Sequence, residues 1–352
     1  MSDLMGNLMI ASMSEAGSDG TAVFVADFSE AQSRVRRDPH RVGLLPPAIF
    51  SGMVQQARAS LKSEFWVARL DGEVVGSIGA NLSPTRPNTG YFGFFEVSLE
   101  HAGAEIARQL IEAATGWLRE QGAKKIYGPI TLNTWLPYRL RTDPSAARTR
   151  AYSWEPGQPS EYAEFVKAAG YSEIERYHSQ GMEGLDGLLE GTRPAYDRAI
   201  ASGFRFRDFD SARLLEGEVP KLYEISMKGF SDNFLFEPIP LEAFRQLYVP
   251  IANRFDFSLS KVAVSPEGED VGFFFVFADA DQLILKSIAV VPEARGKGLS
   301  NALMHLSVKQ GIARGLKCAV SALVRSGAQS ESYAKKAKFT WKHEYALFGK
   351  EL

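Results

Sequence analysis

The stretch VVPEARGKGLSNALM, residues 290–304, decides how the rest of the chain is interpreted. A strand-like apolar run reaches Pro292, a turn with two glycines follows, and leucines then recur at helical spacing. Glycines in such a turn let a ligand approach the main chain, and the start of a helix adds unpaired N–H groups and a partial positive charge. With Arg295 and Lys297 beside those donors, the pattern predicts a turn that binds an anion such as phosphate.

Two familiar nucleotide-binding motifs do not fit this turn. A nucleoside-triphosphate loop needs Gly five residues before its Lys and Ser or Thr directly after it, but those positions hold Pro292 and Gly298. A dinucleotide fingerprint that starts at Gly296 needs its third glycine at the position of Asn301. The residues alone leave two interpretations open: a basic surface turn, or a phosphate site of another kind.

Composition narrows the class of protein. The 352 residues are enough for two ordinary domains, and 45% hydrophobic residues can supply both cores. Lys and Arg total 40 against 42 Asp and Glu, and this net charge of -2 gives no basic field that would favour nucleic acid as a partner. The single cysteine, Cys318, excludes an internal disulfide framework and is predicted to be a buried structural thiol. Five histidines lack ligand spacing, so we predict no metal site.

The N-terminus and the distribution of apolar residues bear on location. Residues 1–20 have no basic lead, and Gly, Asn and Ser interrupt their apolar residues, so we predict a flexible tail and no signal peptide. No apolar segment approaches membrane-spanning length. We therefore expect a cytoplasmic protein without a membrane partner, and the sequence leaves its oligomeric state open.

One supersecondary unit occurs twice along the chain. Residues 65–82 alternate about an Asp71-Gly72 turn, which predicts a hairpin, and residues 261–279 predict a second one. Each hairpin is followed by another strand and a helix, and these segments align without a gap when Leu110 is matched with Leu303, an offset of 303 − 110 = 193. The pattern predicts two copies of one β-β-β-α-β unit.

The repeat predicts an α/β protein in which each domain is built on a mixed α+β sheet. After the tail, the first domain spans residues 21–190 and the second spans residues 191–352. At the same offset, Gly298 of the second copy corresponds to Glu105 of the first. A carboxylate at that place repels an anion, so we expect the first copy to keep the fold pattern without the anion-binding turn.

The strand and turn of the second copy resemble the acyl-CoA loop of GCN5-related N-acetyltransferases, the GNAT superfamily. That loop carries Gln or Arg, two residues, Gly, one residue, and Gly or Ala, and here Ser300 takes the last place. The resemblance extends over residues 204–345 and implies acetyl-CoA or another acyl-CoA as co-substrate, with a small-molecule or protein amine as acceptor. It implies that diphosphate is held by the loop Arg295, Gly296, Lys297, Gly298, Leu299 and Ser300. It also implies that pantetheine pairs with the strand residues Ile288, Ala289 and Val290, with residues 317–324 as the opposite wall.

The first half resembles the degenerate N-terminal half of bacterial tandem-domain acyltransferases. The run GYFGFFE, the pair Gly128-Pro129 and Asn133 carry this likeness, and residues 159–171 resemble a helix found between such halves. The resemblance implies two tandem domains, of which the C-terminal one is active.

Two residues are candidates for the transfer chemistry, which needs a base for the amine and a proton donor for the thiolate. The superfamily's acid is often a Tyr seven residues after an Asn and five before a Phe. Tyr333 has Ser326 seven residues before it but Phe339 six after it. If the Phe sets the register, the acid position is Ala334, and Tyr333 is a packing aromatic.

The base is the second open assignment. The superfamily's usual Glu on the strand before the loop is missing, because this strand offers Lys286 and Ser287. Glu237 lies in a loop-like segment that can border the acceptor channel, although a lone Glu is more often solvated. Phe234 and Phe236 of the same segment are candidates to line an apolar pocket or to lie in the core.

The sequence therefore leads to a CoA-dependent acyltransferase with a catalytically silent N-terminal half. One alternative is an aminoacyl or long-chain acyltransferase of the peptidoglycan-bridge type, which also joins two such folds. The other is a CoA-binding sensor without turnover, which the missing base favours.

Overall fold

The protein consists of two compact units. A computed structural model describes residues 7–32, 47–100, 103–144, 150–153, 155–210, 217–252, 256–327 and 338–352. The first unit comprises residues 1–176 and 344–352, and the second comprises residues 177–343. The sequence placed a single boundary near residue 190, whereas the structure divides the chain earlier and assigns the C-terminal residues to the first unit.

Ten elements precede that division. They are β1 (Leu8–Ser12), α1 (Gly17–Glu30), α2 (Pro47–Ser60), β2 (Ser63–Leu70), β3 (Glu73–Leu82), β4 (Thr89–Val97), α3 (Gly103–Glu120), β5 (Lys125–Gly128), β6 (Leu140–Arg141) and α4 (Glu161–Ala168). The remaining elements are β7 (Ser172–Glu183), α5 (Leu185–Ala201), β8 (Arg205–Asp208), α6 (Val219–Gly229), α7 (Leu241–Ala252), β9 (Lys261–Val264), β10 (Asp270–Asp279), β11 (Gln282–Val290), α8 (Leu299–Ala313), β12 (Cys318–Arg325) and β13 (Lys338–Glu351).

Both units are built on a mixed sheet with the same local topology, as the repeat predicted. In the first unit β2, β3 and β4 pair antiparallel, and β4 pairs parallel with β5. In the second unit β9, β10 and β11 pair antiparallel, and β11 pairs parallel with β12. The parallel pairs are joined by α3 and α8, which is the crossover that parallel strands require.

Local sequence signals explain these elements. Asp71 and Gly72 both have positive φ, 51° and 89°, which a tight hairpin turn requires. The helices α3 and α8 are followed by Gly122 and Gly315 with φ of 88° and 81°, the left-handed conformation that ends helices.

The N-terminal segment is not a tail over its described residues. Leu8 to Ser12 form β1, which pairs antiparallel with β2 from Leu8 opposite Leu70 to Ser12 opposite Trp66. Leu8 and Ile10 pack against the core of the first unit, so this short alternation of apolar residues builds an edge strand.

Each unit has its own hydrophobic core. In the first unit the apolar stripe of α3 packs on the sheet, and Ile106, Leu110 and Leu118 are completely buried. In the second unit Leu303 and Val308 of α8 are buried in the same way. Within the described residues, no helix has the length and apolar character needed to cross a membrane.

Candidate functional site

The second unit contains a fork between two parallel strands. Strand β11 pairs with β12 only from Gln282 opposite Cys318 to Leu285 opposite Ser321. Beyond that point β11 continues to pair with β10 on its other edge as far as Val290. The register between β10 and β11 shifts at Lys286, which marks a bulge at the base of the fork.

The opposite arm of the fork also leaves the regular ladder. Leu323 of β12 has a positive φ of 56°, and its N–H donates to the Ser179 hydroxyl over 3.0 Å. The register between β12 and β7 shifts at the same place. The ladder between the two strands therefore ends before the two arms, residues 286–290 and 322–325.

The turn after β11 presents a row of backbone donors. Gly296 and Gly298 have φ of 76° and 75°, and the first internal bond of the helix runs from the Ala302 N–H to the Gly298 carbonyl over 3.1 Å. Among the described residues, no hydrogen bond uses the N–H groups of residues 296–301. Consecutive N–H groups at the positive end of a helix form a site for a diphosphate.

The two basic side chains of the turn have other partners. The Arg295 guanidinium pairs with the Asp232 carboxylate and donates to the carbonyls of Gly229 and Val290 over 3.0 and 3.3 Å. The Lys297 ammonium lies 5.4 Å from the centre of the Phe204 ring. We expected both cations to flank the anion, but the Arg295 guanidinium is held by these other partners. One of them is the carbonyl of Val290, a residue that was expected to pair with pantetheine.

The last residue of α6 and the segment that follows it lie against the two arms of the fork. A Cβ added to Gly229 would be 3.0 Å from the Ala289 Cβ on one arm. The guanidinium carbon of Arg325, on the other arm, lies 5.8 Å from the centre of the Phe234 ring. Glu237 is 2% exposed, so this carboxylate is not a solvated surface group. Phe236 is half-buried in the same segment.

The other residues that the sequence singled out are Tyr333, Phe339 and Cys318. Tyr333 lies outside the described residues, and Phe339 lies in β13 with 43% of its surface exposed. Cys318 is half-buried, where full burial was expected, and desolvation raises the pKa of its thiol. Over the described part of the chain, no three His, Cys, Asp or Glu side chains form a group that could hold a metal ion.

The first unit has no such turn at the corresponding position. Helix α3 begins at Gly103, which corresponds to Gly296 because 296 − 193 = 103, so the glycine turn is replaced by helix. Its first turn carries Glu105, whose carboxylate accepts hydrogen bonds from Arg108 and Gln109. The bond from Arg108 is the main reason that the pKa of Glu105 falls to about 2, which keeps this group negative.

The fork of the first unit is occupied by its own chain. The Ile130 N–H donates to the Phe92 carbonyl over 2.6 Å, and a Cβ added to Gly93 would lie only 2.3 Å from the Ile130 carbonyl oxygen. The Tyr162 hydroxyl lies 2.7 Å from both the N–H nitrogen and the carbonyl oxygen of Val97. At the offset of 193, Val97 corresponds to Val290, where pantetheine pairing was expected in the second unit.

Comparisons with known proteins give the same fold. Residues 34–133 match the acetyltransferase (GNAT) family. Protein YghO of Escherichia coli (strain K12) is 26% identical over 183 residues, which are 49% of this chain and 44% of that protein. A tandem GNAT protein from the clavulanic acid biosynthesis pathway is 15% identical over 98% of both chains, with a TM-score of 0.55. A GCN5-related N-acetyltransferase from Sphaerobacter thermophilus is 16% identical over 99% of this chain and 96% of its own, with a TM-score of 0.50.

These comparisons qualify the description of the first half. The family match falls within the first half, so that half retains the pattern that sets the fold. What it lacks is the glycine turn and an open fork. The chain spans less than half the length of YghO, so that relative supports the likeness of a part only.

Proposed function

We propose that the chain acts as a member of the GCN5-related N-acetyltransferase superfamily, whose fold it has, and that it transfers an acyl group from an acyl-CoA to an amine. One observation carries the proposal: six successive N–H groups, from Gly296 to Asn301, are unused by the described residues and stand at the start of α8. They adjoin an arm of β11 whose second edge is not paired with β12. A diphosphate accepts hydrogen bonds from a row of N–H groups at the start of a helix, and an extended pantetheine pairs with an open strand edge.

The donor is assigned to the second unit alone. In the first unit the turn is helical, Glu105 carries a negative charge, and Tyr162 and Ile130 use backbone groups of β4. We therefore propose one acyl-CoA per chain. The proposed donor site lies within the second compact unit, residues 177–343.

The acceptor amine attacks the thioester carbonyl carbon, a C–N bond forms and the C–S bond breaks. Glu237 is the proposed base, because it is a buried carboxylate in the segment that touches both arms of the fork. It takes the proton that the amine loses, and the leaving thiolate takes a proton from the Tyr333 hydroxyl. Acetyl is the proposed acyl group, and a small molecule or a protein supplies the amine.

The test is calorimetric titration with acetyl-CoA, followed by measurement of free thiol with a panel of amines and with longer acyl-CoA thioesters. We expect binding and thiol release that depends on an amine. Binding with no release for any amine would favour the sensor alternative. Absence of binding for every acyl-CoA would contradict the assignment of the turn.

A further inference from the structure

Arg295 occupies the first position of the acyl-CoA motif, but its side chain points away from the turn. Its Nη2 donates to the Gly229 carbonyl over 3.0 Å, its Nε donates to the Val290 carbonyl over 3.3 Å, and its Nη1 pairs with the Asp232 carboxylate. The Arg295 guanidinium thus connects Val290, the last residue of β11, with Gly229 at the end of α6 and with Asp232 in the segment after α6.

The residues held by Arg295 continue to the other arm of the fork. We call residues 229–237 the bridge segment. It touches β11 at Gly229, and it meets β12 where Phe234 faces the Arg325 guanidinium. Glu237, the proposed base, ends the segment and is buried. The bridge segment therefore spans the fork in which the thioester is proposed to lie.

We infer that Arg295 is a positioning residue, which ties the diphosphate turn to the bridge segment and does not bind diphosphate through its side chain. Its backbone belongs to the turn, where its N–H donates to the Pro292 carbonyl over 3.2 Å. A ligand that fixes the turn also fixes the origin of this side chain, and hence Asp232. Acyl-CoA binding then orders the bridge segment before the amine arrives. The inference rests on the proposed function, because it needs acyl-CoA in the turn.

The side-chain pair is exposed, with 41% and 71% of the two side chains accessible, so its loss has little effect on folding. The same unit offers a matched control. Arg314 pairs with Asp256 at similar exposure, 37% and 55%, and Asp256 precedes the turn that leads into β9. The variant Arg314→Gln removes a comparable ion pair that does not touch the bridge segment.

The experiment is amide hydrogen exchange with and without saturating acetyl-CoA. In the parent and in Arg314→Gln, acetyl-CoA should slow exchange several-fold in both the turn, residues 292–301, and the bridge segment. In Arg295→Gln and Asp232→Asn it should slow exchange in the turn only, with the Kd for acetyl-CoA changed by no more than about threefold. Asp232→Glu, which keeps the carboxylate, should recover part of the protection.

Three results would overturn the inference. Protection of the bridge segment in Asp232→Asn equal to that in the parent would show that the pair does not couple the two segments. A Kd raised tenfold or more by Arg295→Gln, but not by Asp232→Asn, would make Arg295 a phosphate ligand. A parent whose turn shows no protection at saturating acetyl-CoA would refute the proposed function itself, and the inference with it.

Discussion

Replacing Gly298 by Glu tests the diphosphate turn directly. Gly298 has φ 75° and ψ 12° at the start of α8, and a Cβ there would lie 3.4 Å from the Ala195 Cβ. Space is therefore sufficient, but any side chain at this backbone conformation costs roughly 1–2 kcal/mol in strain. The added carboxylate would stand beside the N–H groups and would reproduce the residue that the first unit carries at Glu105.

The size of the charge effect follows from Coulomb's law. A carboxylate about 5.5 Å from each of two phosphate charges, at an effective dielectric constant of about 40, opposes each by about 1.5 kcal/mol. The sum of about 3 kcal/mol corresponds to roughly a 150-fold loss of affinity for acetyl-CoA. Gly298→Gln has nearly the same shape and the same backbone strain without the charge, so the difference between the two variants isolates the repulsion.

The assay is calorimetric titration of acetyl-CoA into the parent and both variants, with thermal unfolding to confirm that all three are folded. The difference between Glu and Gln should shrink when ionic strength rises from about 0.05 M to about 0.5 M, because salt screens the repulsion. Equal Kd values for the Glu and Gln variants at low salt would refute the reasoning. They would mean that no diphosphate lies beside this turn.

Three further predictions concern stoichiometry, catalysis and pH. Glu105→Gly should leave the calorimetric stoichiometry at one acetyl-CoA per chain, since the fork of the first unit stays filled by its own backbone, and a value of two would contradict this. Tyr333→Phe should lower turnover at saturating acetyl-CoA by about 100-fold or more at unchanged Kd if its hydroxyl protonates the thiolate, whereas a parent-like rate would make it a packing aromatic. His305 stacks on Tyr196, and burial lowers its pKa below the ordinary 6.5. At acidic pH the imidazole therefore binds more protons in the unfolded chain than in the folded protein. The free energy of unfolding of the parent should fall as the pH drops below about 6.5. His305→Phe should flatten that slope in urea titrations, and an unchanged slope would exclude His305 as its source.

Features that depend on neighbouring residues could be predicted from the sequence. The Asp71-Gly72 hairpin, the glycines that follow α3 and α8, and the order of strands and helices in each copy have local signals. These signals are the turn residues and the spacing of apolar residues, and each acts over a few positions. The glycine turn after β11 belongs to the same class.

Contacts between distant residues could not be predicted in this way. Arg295 and Asp232 are separated by 63 residues, and Val97 and Tyr162 by 65, and no local pattern marks either pair. The return of the C-terminal residues to the first unit, where Tyr345 pairs with Arg141 in the strand register, is likewise a long-range choice. The short alternation of Leu8 and Ile10 was a local signal for β1, but it lies among Gly, Asn and Ser residues that suggested a tail.

The two copies differ in how they satisfy the backbone of the fork. Diverging parallel strands leave N–H and C=O groups without a neighbour, and buried backbone groups need partners. In the first unit the chain itself supplies them, through the Ile130 N–H and the Tyr162 hydroxyl. In the second unit the corresponding arm is not paired with β12, and the N–H groups of residues 296–301 are unused within the described chain. The same topology thus leads to two outcomes, and the acyl-CoA proposed for the second fork would supply the missing partners through an extended amide chain and a diphosphate.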